Sequence, residues 1–264
     1  MIERTLLACS LLAAALSAEA APPDVVRDLA PSGRLRAAIN FGNPVLAQKD
    51  PATGAPRGVS AALAIELGRQ LDVPVDFIPF TEAGQVTEAN KEGAWDVAFL
   101  AIDPTRAAAI DYTAPYLFLE GIYLVPAASP LQRIEDVDRE GIRVAVAVAS
   151  AYDLFLTRTL TKAALVRTVK SAESFDLLAH NGADVLAGVR QPLLAYASAH
   201  PEVRIIPGRF MQISQAMAVP KGREAGSRFL RGFVEAMKAS GFVAGALAAS
   251  GQADATLAPP SPGP

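Results

Sequence analysis

The chain has 264 residues, 51% of them hydrophobic, and its 24 basic and 27 acidic side chains leave a formal charge of −3. Such a balance excludes a strongly basic nucleic-acid surface. One cysteine, Cys9, and two histidines, His180 and His200, exclude a disulfide framework and a Cys-based zinc site.

Arg4 precedes an apolar stretch at residues 5–18, and Ala18-Glu19-Ala20 forms a small-x-small cleavage sequence. Residues 1–20 therefore read as a secretory signal, too short in its apolar part to span a bilayer. Cleavage would remove Cys9.

The remaining chain alternates strand and helix patterns, which predicts an α/β fold with largely parallel sheets. Residues 35–40 read as a strand, 60–71 as a helix with Leu63, Leu67 and Leu71 on one face, and 73–80 as a second strand. A helix at 82–92 ends at Gly93 before an apolar strand at 95–101. Asp103 suits an N-cap and Pro104 a first helical position, so Arg106 is expected in the first turn of a helix, where free N–H groups and the helix dipole favour an anion. An extended segment then runs toward Pro126, and 135–140 is a polar linker. A second unit follows: strands at 142–148, 164–169 and 184–188, with helices at 150–161, 172–181 and 192–199. His180 and His200 fall at helix ends and read as surface residues rather than metal ligands. Strands at 203–206 and 215–219 precede an amphipathic helix at 224–240. Residues 253–264, rich in Pro, Ala, Gly and Ser, are expected to be disordered.

The segment from Trp95 to Tyr116 resembles the signature of the family 3 periplasmic solute-binding proteins, the polar amino-acid receptors of ABC transporters. Asp96, Pro104, Arg106, Asp111, Tyr112, Thr113, Pro115 and Tyr116 carry the match. The spacing from Asp96 to Arg106 is about two residues shorter than the family pattern, Asp103 stands where Thr is common, and Phe99 and Ala101 replace Ser or Gly. The resemblance implies a type II periplasmic binding fold: two lobes around a cleft, with two hinge crossings. It divides the chain into lobe 1 at residues 21–124 and 218–252, and lobe 2 at 125–217. It also implies that Arg106 reads a ligand carboxylate.

Open α/β sheets bind ligands at the carboxyl ends of their strands, and three loops there carry polar groups. Asn40-Phe41-Gly42-Asn43-Pro44 offers two amides where the family carries an acidic and an aromatic residue; both Asn40 and Asn43 are equally compatible with Asx turns. Ser150 is an N-cap at the position where family members often carry Gly-Thr for the same carboxylate. In the loop 184–192 the Asp that holds an amino acid's ammonium group in the family is missing, and Arg190 stands nearby. Two cations facing one cleft would disfavour a zwitterion and favour an organic dianion. Phe80 and Ala101 complete the expected ligand-binding set of Asn40, Asn43, Phe80, Ala101, Arg106, Ser150 and Arg190.

These readings make the chain an extracytoplasmic receptor in the periplasm that captures a small anionic or amino-acid-like metabolite by hinge closure. It would act as a monomer, without cofactor or metal, and deliver its ligand to an inner-membrane ABC permease. The alternative is a periplasmic lyase resembling the cyclohexadienyl dehydratases on the same scaffold, with Glu120 or, behind it, Asp103 as general acid.

Overall fold

In a computed structural model that describes residues 21–261, the chain opens with helix α1 (Pro23–Leu29), where Pro23 takes the first helical position. The expected signal segment lies outside the described residues. Strand β1 (Leu35–Asn40) buries Leu35, Ala37, Ala38 and Ile39, as a strand covered on both faces must. After a short hairpin of β2 (Gln48–Lys49) and β3 (Pro56–Arg57), helix α2 (Val59–Leu71) turns Leu63, Leu67 and Leu71 inward. It leads to β4 (Val75–Phe80), parallel to β1. The next helix is shorter than its sequence pattern: α3 (Ala83–Ala89) passes into a 3-10 turn at Asn90–Glu92, and left-handed Gly93 ends it. Strand β5 (Val97–Ala101) then enters the sheet parallel to β1.

No helix follows β5. Asp103 accepts the Thr105 N–H as expected of a cap, but only a single 3-10 turn, Arg106–Ala108, forms before the chain becomes the long strand β6 (Ile110–Pro126). β-Branched and aromatic residues at Ile110, Tyr112 and Thr113 draw the chain back into the sheet. Helix-dipole stabilisation of an anion at Arg106 is thereby removed from the account.

The second unit comprises β7 (Arg143–Ala147), α4 (Ala151–Thr159), β8 (Ala164–Thr168), α5 (Ser171–Ala179), β9 (Val185–Val189) and α6 (Arg190–Ala199). Its strands β8 and β9 lie parallel to β7 on either side. Strand β10 (Val203–Ile205) pairs with the far end of β6, and β11 (Met211–Pro220) runs back antiparallel to β6 and β5. Helices α7 (Glu224–Ala239) and α8 (Phe242–Ala249) and strand β12 (Thr256–Leu257) finish the described chain.

The main sheet has the order β4-β1-β5-β11-β6-β9-β7-β8. It is mixed rather than largely parallel, because the two strands that cross the molecule, β6 and β11, are antiparallel to each other and to their neighbours. Two bodies of core result. Leu35, Ile39, Leu63 and Leu67 pack with Leu230, Val234 and Leu247 of the C-terminal helices, while Val86, Trp95 and Leu100 cover the opposite face. Val125, Val144, Val146, Leu156 and Val185 form the core of the second unit, covered on its other side by Ile122, Leu124, Leu178 and Leu193. This is a two-lobed α/β architecture in which β6 and β11 belong to both lobes.

The C-terminal stretch differs from its composition-based expectation. Thr256 and Leu257 pair with Phe118 and Leu117 of β6, Ala258 N–H donates to the Tyr116 carbonyl, and Lys238 Nζ reaches the Pro259 carbonyl. An unpaired edge of β6 is a template for added strand, and the short run Ala255–Ala258 takes it.

Candidate functional site

A cavity of about 790 Å³, counting its open mouth, lies between the lobes, lined by the ends of β1, β5 and β9, the first half of β11 and the starts of α3, α4, α5 and α6. Arg106 is its cation. The residue is only 3% exposed, and burial pulls its pKa down against the opposing influence of Tyr112 and Asp103. Its terminal nitrogens donate to the Ala101 carbonyl at 3.1 Å and the Ala149 carbonyl at 2.8 Å. No carboxylate pairs with it among the described residues. Asp103 is committed instead to Arg158 at 2.8 Å. A guanidinium has five N–H donors, so most of the group remains available to a planar acceptor. Tyr112 stands beside it, its hydroxyl pKa pushed up to about 12 by burial despite the arginine's charge.

The loop opposite is shaped to meet Arg106. Ala149 adopts φ +56°, a left-handed conformation costly for a residue with a Cβ, which accounts for the preference for Gly there in the resemblance. Its N–H donates to Asp153 Oδ2 at 2.8 Å, and Asp153 is itself held by Arg167. Ser150 caps α4 by accepting the Asp153 N–H and also lines the cavity. Asn40 and Asn43 line it too, and both form Asx turns, accepting the N–H groups of Gly42 and Val45. Ala101 lines the floor.

The structure places two of the sequence candidates elsewhere. Phe80 ends β4 beside Asn40 and packs on the Val86, Trp95 and Leu100 cluster, outside the cavity lining. Arg190 begins α6 and turns away: its Nε pairs with Glu120 and its Nη2 with the Gly208 carbonyl at 3.1 Å. Arg209 pairs with the other oxygen of Glu120 at 2.7 Å. The second cleft cation expected from the sequence is thus neutralised by a carboxylate, and the pKa of Glu120 is lowered, first by its hydrogen bond from Arg209 and then by Arg190.

Glu82 and Gln215 are among the polar cavity residues that sequence reasoning passed over. Glu82 stands two positions past β4, where strand-end logic applied to this loop would have found it. Its carboxylate receives the Ser171 N–H at 2.8 Å and the Ser171 hydroxyl at 2.7 Å, which ties the two lobes together. Gln215 lies inside β11, and its signal is an amide at the head of the apolar run 216–220. The matching motif also divides by role: Asp96 is fully buried between Arg36 and Arg223, and Asp111 pairs with Lys221, so both serve the frame rather than the cavity. Among the described residues no cluster of His, Asp and Glu is arranged to hold a metal ion.

Residues 35–248 match the bacterial extracellular solute-binding proteins, family 3. The chain belongs to that family. Solved structures share the fold. A solute receptor for L-cysteine from Neisseria gonorrhoeae is 25% identical, with 83% of this chain and 89% of that chain covered and a TM-score of 0.70. An amino acid ABC transporter substrate-binding protein from Streptococcus pneumoniae, bound to L-arginine, is 18% identical, with 85% and 97% covered and a TM-score of 0.72. An ancestral amino acid-binding protein described as a precursor of cyclohexadienyl dehydratase is 23% identical, with 84% and 96% covered and a TM-score of 0.69. No curated protein matches the chain. In this member of the family, the arginine of the Trp95-to-Tyr116 segment lies in the interlobe cavity, Asp96 and Asp111 brace the sheet, and Asp103 pairs with Arg158 of α4.

Proposed function

We propose that this chain is the periplasmic receptor of an ABC importer, which closes its lobes on a small carboxylate and presents it to an inner-membrane permease. The observation that carries the reading is Arg106: a cation buried in the interlobe cavity, held by carbonyls from both lobes and lacking a carboxylate partner among the described residues. Burial makes such a group expensive to leave unpaired and makes its pairing with an anion strong.

Ligand class follows from the charges that line the cavity. With Arg190 committed to Glu120, the lining retains one cation, Arg106, and one carboxylate, Glu82. That set suits a monocarboxylate with a polar or cationic end, so an amino-acid-like ligand is favoured over an organic dianion. The solved relatives described as receptors for L-cysteine and bound to L-arginine support the same class.

Binding without turnover is the favoured activity. Glu120, the sequence candidate for a general acid, is an ionised partner of two arginines outside the cavity lining, and Asp103 is locked to Arg158. A thermal-shift screen of the twenty amino acids and a set of organic acids tests the reading. A ligand at about 100 times its dissociation constant adds about 2.7 kcal/mol of stability, a rise of roughly 5–10 °C in Tm for a protein of this size. Absence of any carboxylate-induced shift overturns it.

A further inference from the structure

Gln215 sits at an irregular point of the sheet. Its Cα is opposite Ala101 of β5 and Leu117 of β6, and the pairing register with β6 slips between Gln215 and Ala216. Such slips re-aim a side chain. The residue is 4% exposed and lines the cavity, yet its side-chain oxygen Oε1 has no hydrogen-bond partner among the described residues. Buried acceptors are rarely left in that condition, and one that faces a binding cavity is explained by a donor that arrives with the ligand.

Its placement relative to Arg106 defines what that donor must be attached to. The Ala101 carbonyl, which accepts from Arg106, belongs to the residue directly across the ladder from Gln215. Arg106 and Gln215 therefore border the same part of the cavity, the guanidinium bound to the Ala101 carbonyl and the amide on the strand that faces Ala101. One wall donates and the other accepts.

We infer that Gln215 is a specificity-determining residue of this cavity, which selects carboxylates bearing an N–H or O–H donor close to the carboxyl group, as α-amino and α-hydroxy acids do, over carboxylates that lack one. This rests on the receptor reading of the cavity. A ligand without the donor leaves the buried oxygen unpaired, and sites built to hydrogen-bond a polar group discriminate strongly against analogues that lack it.

The test uses calorimetric titration of the full chain with three sets of probes: the L-amino acids, their 2-hydroxy analogues and the corresponding unsubstituted carboxylates. For the tightest-binding skeleton, loss of the α-donor should weaken binding at least tenfold. In Gln215→Leu that ratio should fall toward one while the unsubstituted carboxylate still binds. The nearly isosteric Gln215→Glu guards against a folding defect and should raise the preference for ammonium over hydroxyl. A discrimination ratio unchanged in both variants overturns the role of Gln215 and leaves the receptor reading standing. Failure of every carboxylate to bind the unmodified chain overturns both.

Discussion

Arg106 and Arg190 make an instructive pair, because each follows the end of a sheet strand that borders the same cavity and the two have opposite fates. Arg106 is buried, meets only backbone carbonyls and keeps most of its donors unspent. Arg190, with a side chain 31% exposed, is paired to Glu120 and a backbone carbonyl and lies outside the cavity lining. The difference teaches that position at a strand end does not make an arginine a receptor. What decides is whether the fold has already brought it a carboxylate.

The comparison is sharpest when the two arginines are exchanged for neutral residues. Arg106→Ala should lose about 2–5 kcal/mol of ligand binding, the range for removing one partner of a desolvated charge pair, with circular dichroism showing the fold retained. An unchanged Kd for the ligand found by screening would break the contrast at its strong end. Arg190→Ala should leave that Kd within about threefold and alter stability by at most about 1 kcal/mol, as befits a partly exposed pair. Arg190→Asp, which returns a carboxylate to the loop from which the ammonium-binding Asp is missing, should change ligand order no more than Arg190→Ala does. A reversal of order would return Arg190 to the cleft.

The smallest effect concerns pH. Glu120 is held below its ordinary pKa, so the stability it contributes is present above the unfolded value of about 4.3 and is lost as pH falls through the folded value. Denaturant midpoints of the unmodified chain and Glu120→Gln should therefore differ at pH 7, and the gap should shrink as pH falls below the unfolded value. A gap that does not shrink with acid would mean that packing, not charge, is what Glu120 supplies.

Local patterns were legible in the sequence wherever neighbours along the chain decide the outcome. Residues 35–40 and 164–168 are strands as their apolar runs demand, Ser150 caps α4, and Gly93 stops the 3-10 turn. What escaped was long-range. The partner of Arg190 is seventy positions away in sequence, and nothing near residue 190 announces it. The mixed sheet follows from two crossing strands whose direction no periodicity encodes. Cleft polarity was half visible: Asn40, Asn43, Ala101, Arg106 and Ser150 line the cavity, whereas Gln215 is known only once β11 is laid between β5 and β6. The ordered C-terminal stretch depended on an edge of β6 that composition does not reveal.

Polar links between the lobes made by the protein itself include Glu82 with Ser171, Asp103 with Arg158, and Arg106 with the Ala149 carbonyl. If the lobes close as the proposed receptor function requires, each narrows the free-energy gap between gaping and shut forms before any cargo contributes. The apparent dissociation constant of a closing receptor is its intrinsic constant divided by the fraction of molecules already competent to bind. In the receptor proposed above, a chain that supplies its own clasp would raise that fraction and so need less binding energy from its cargo.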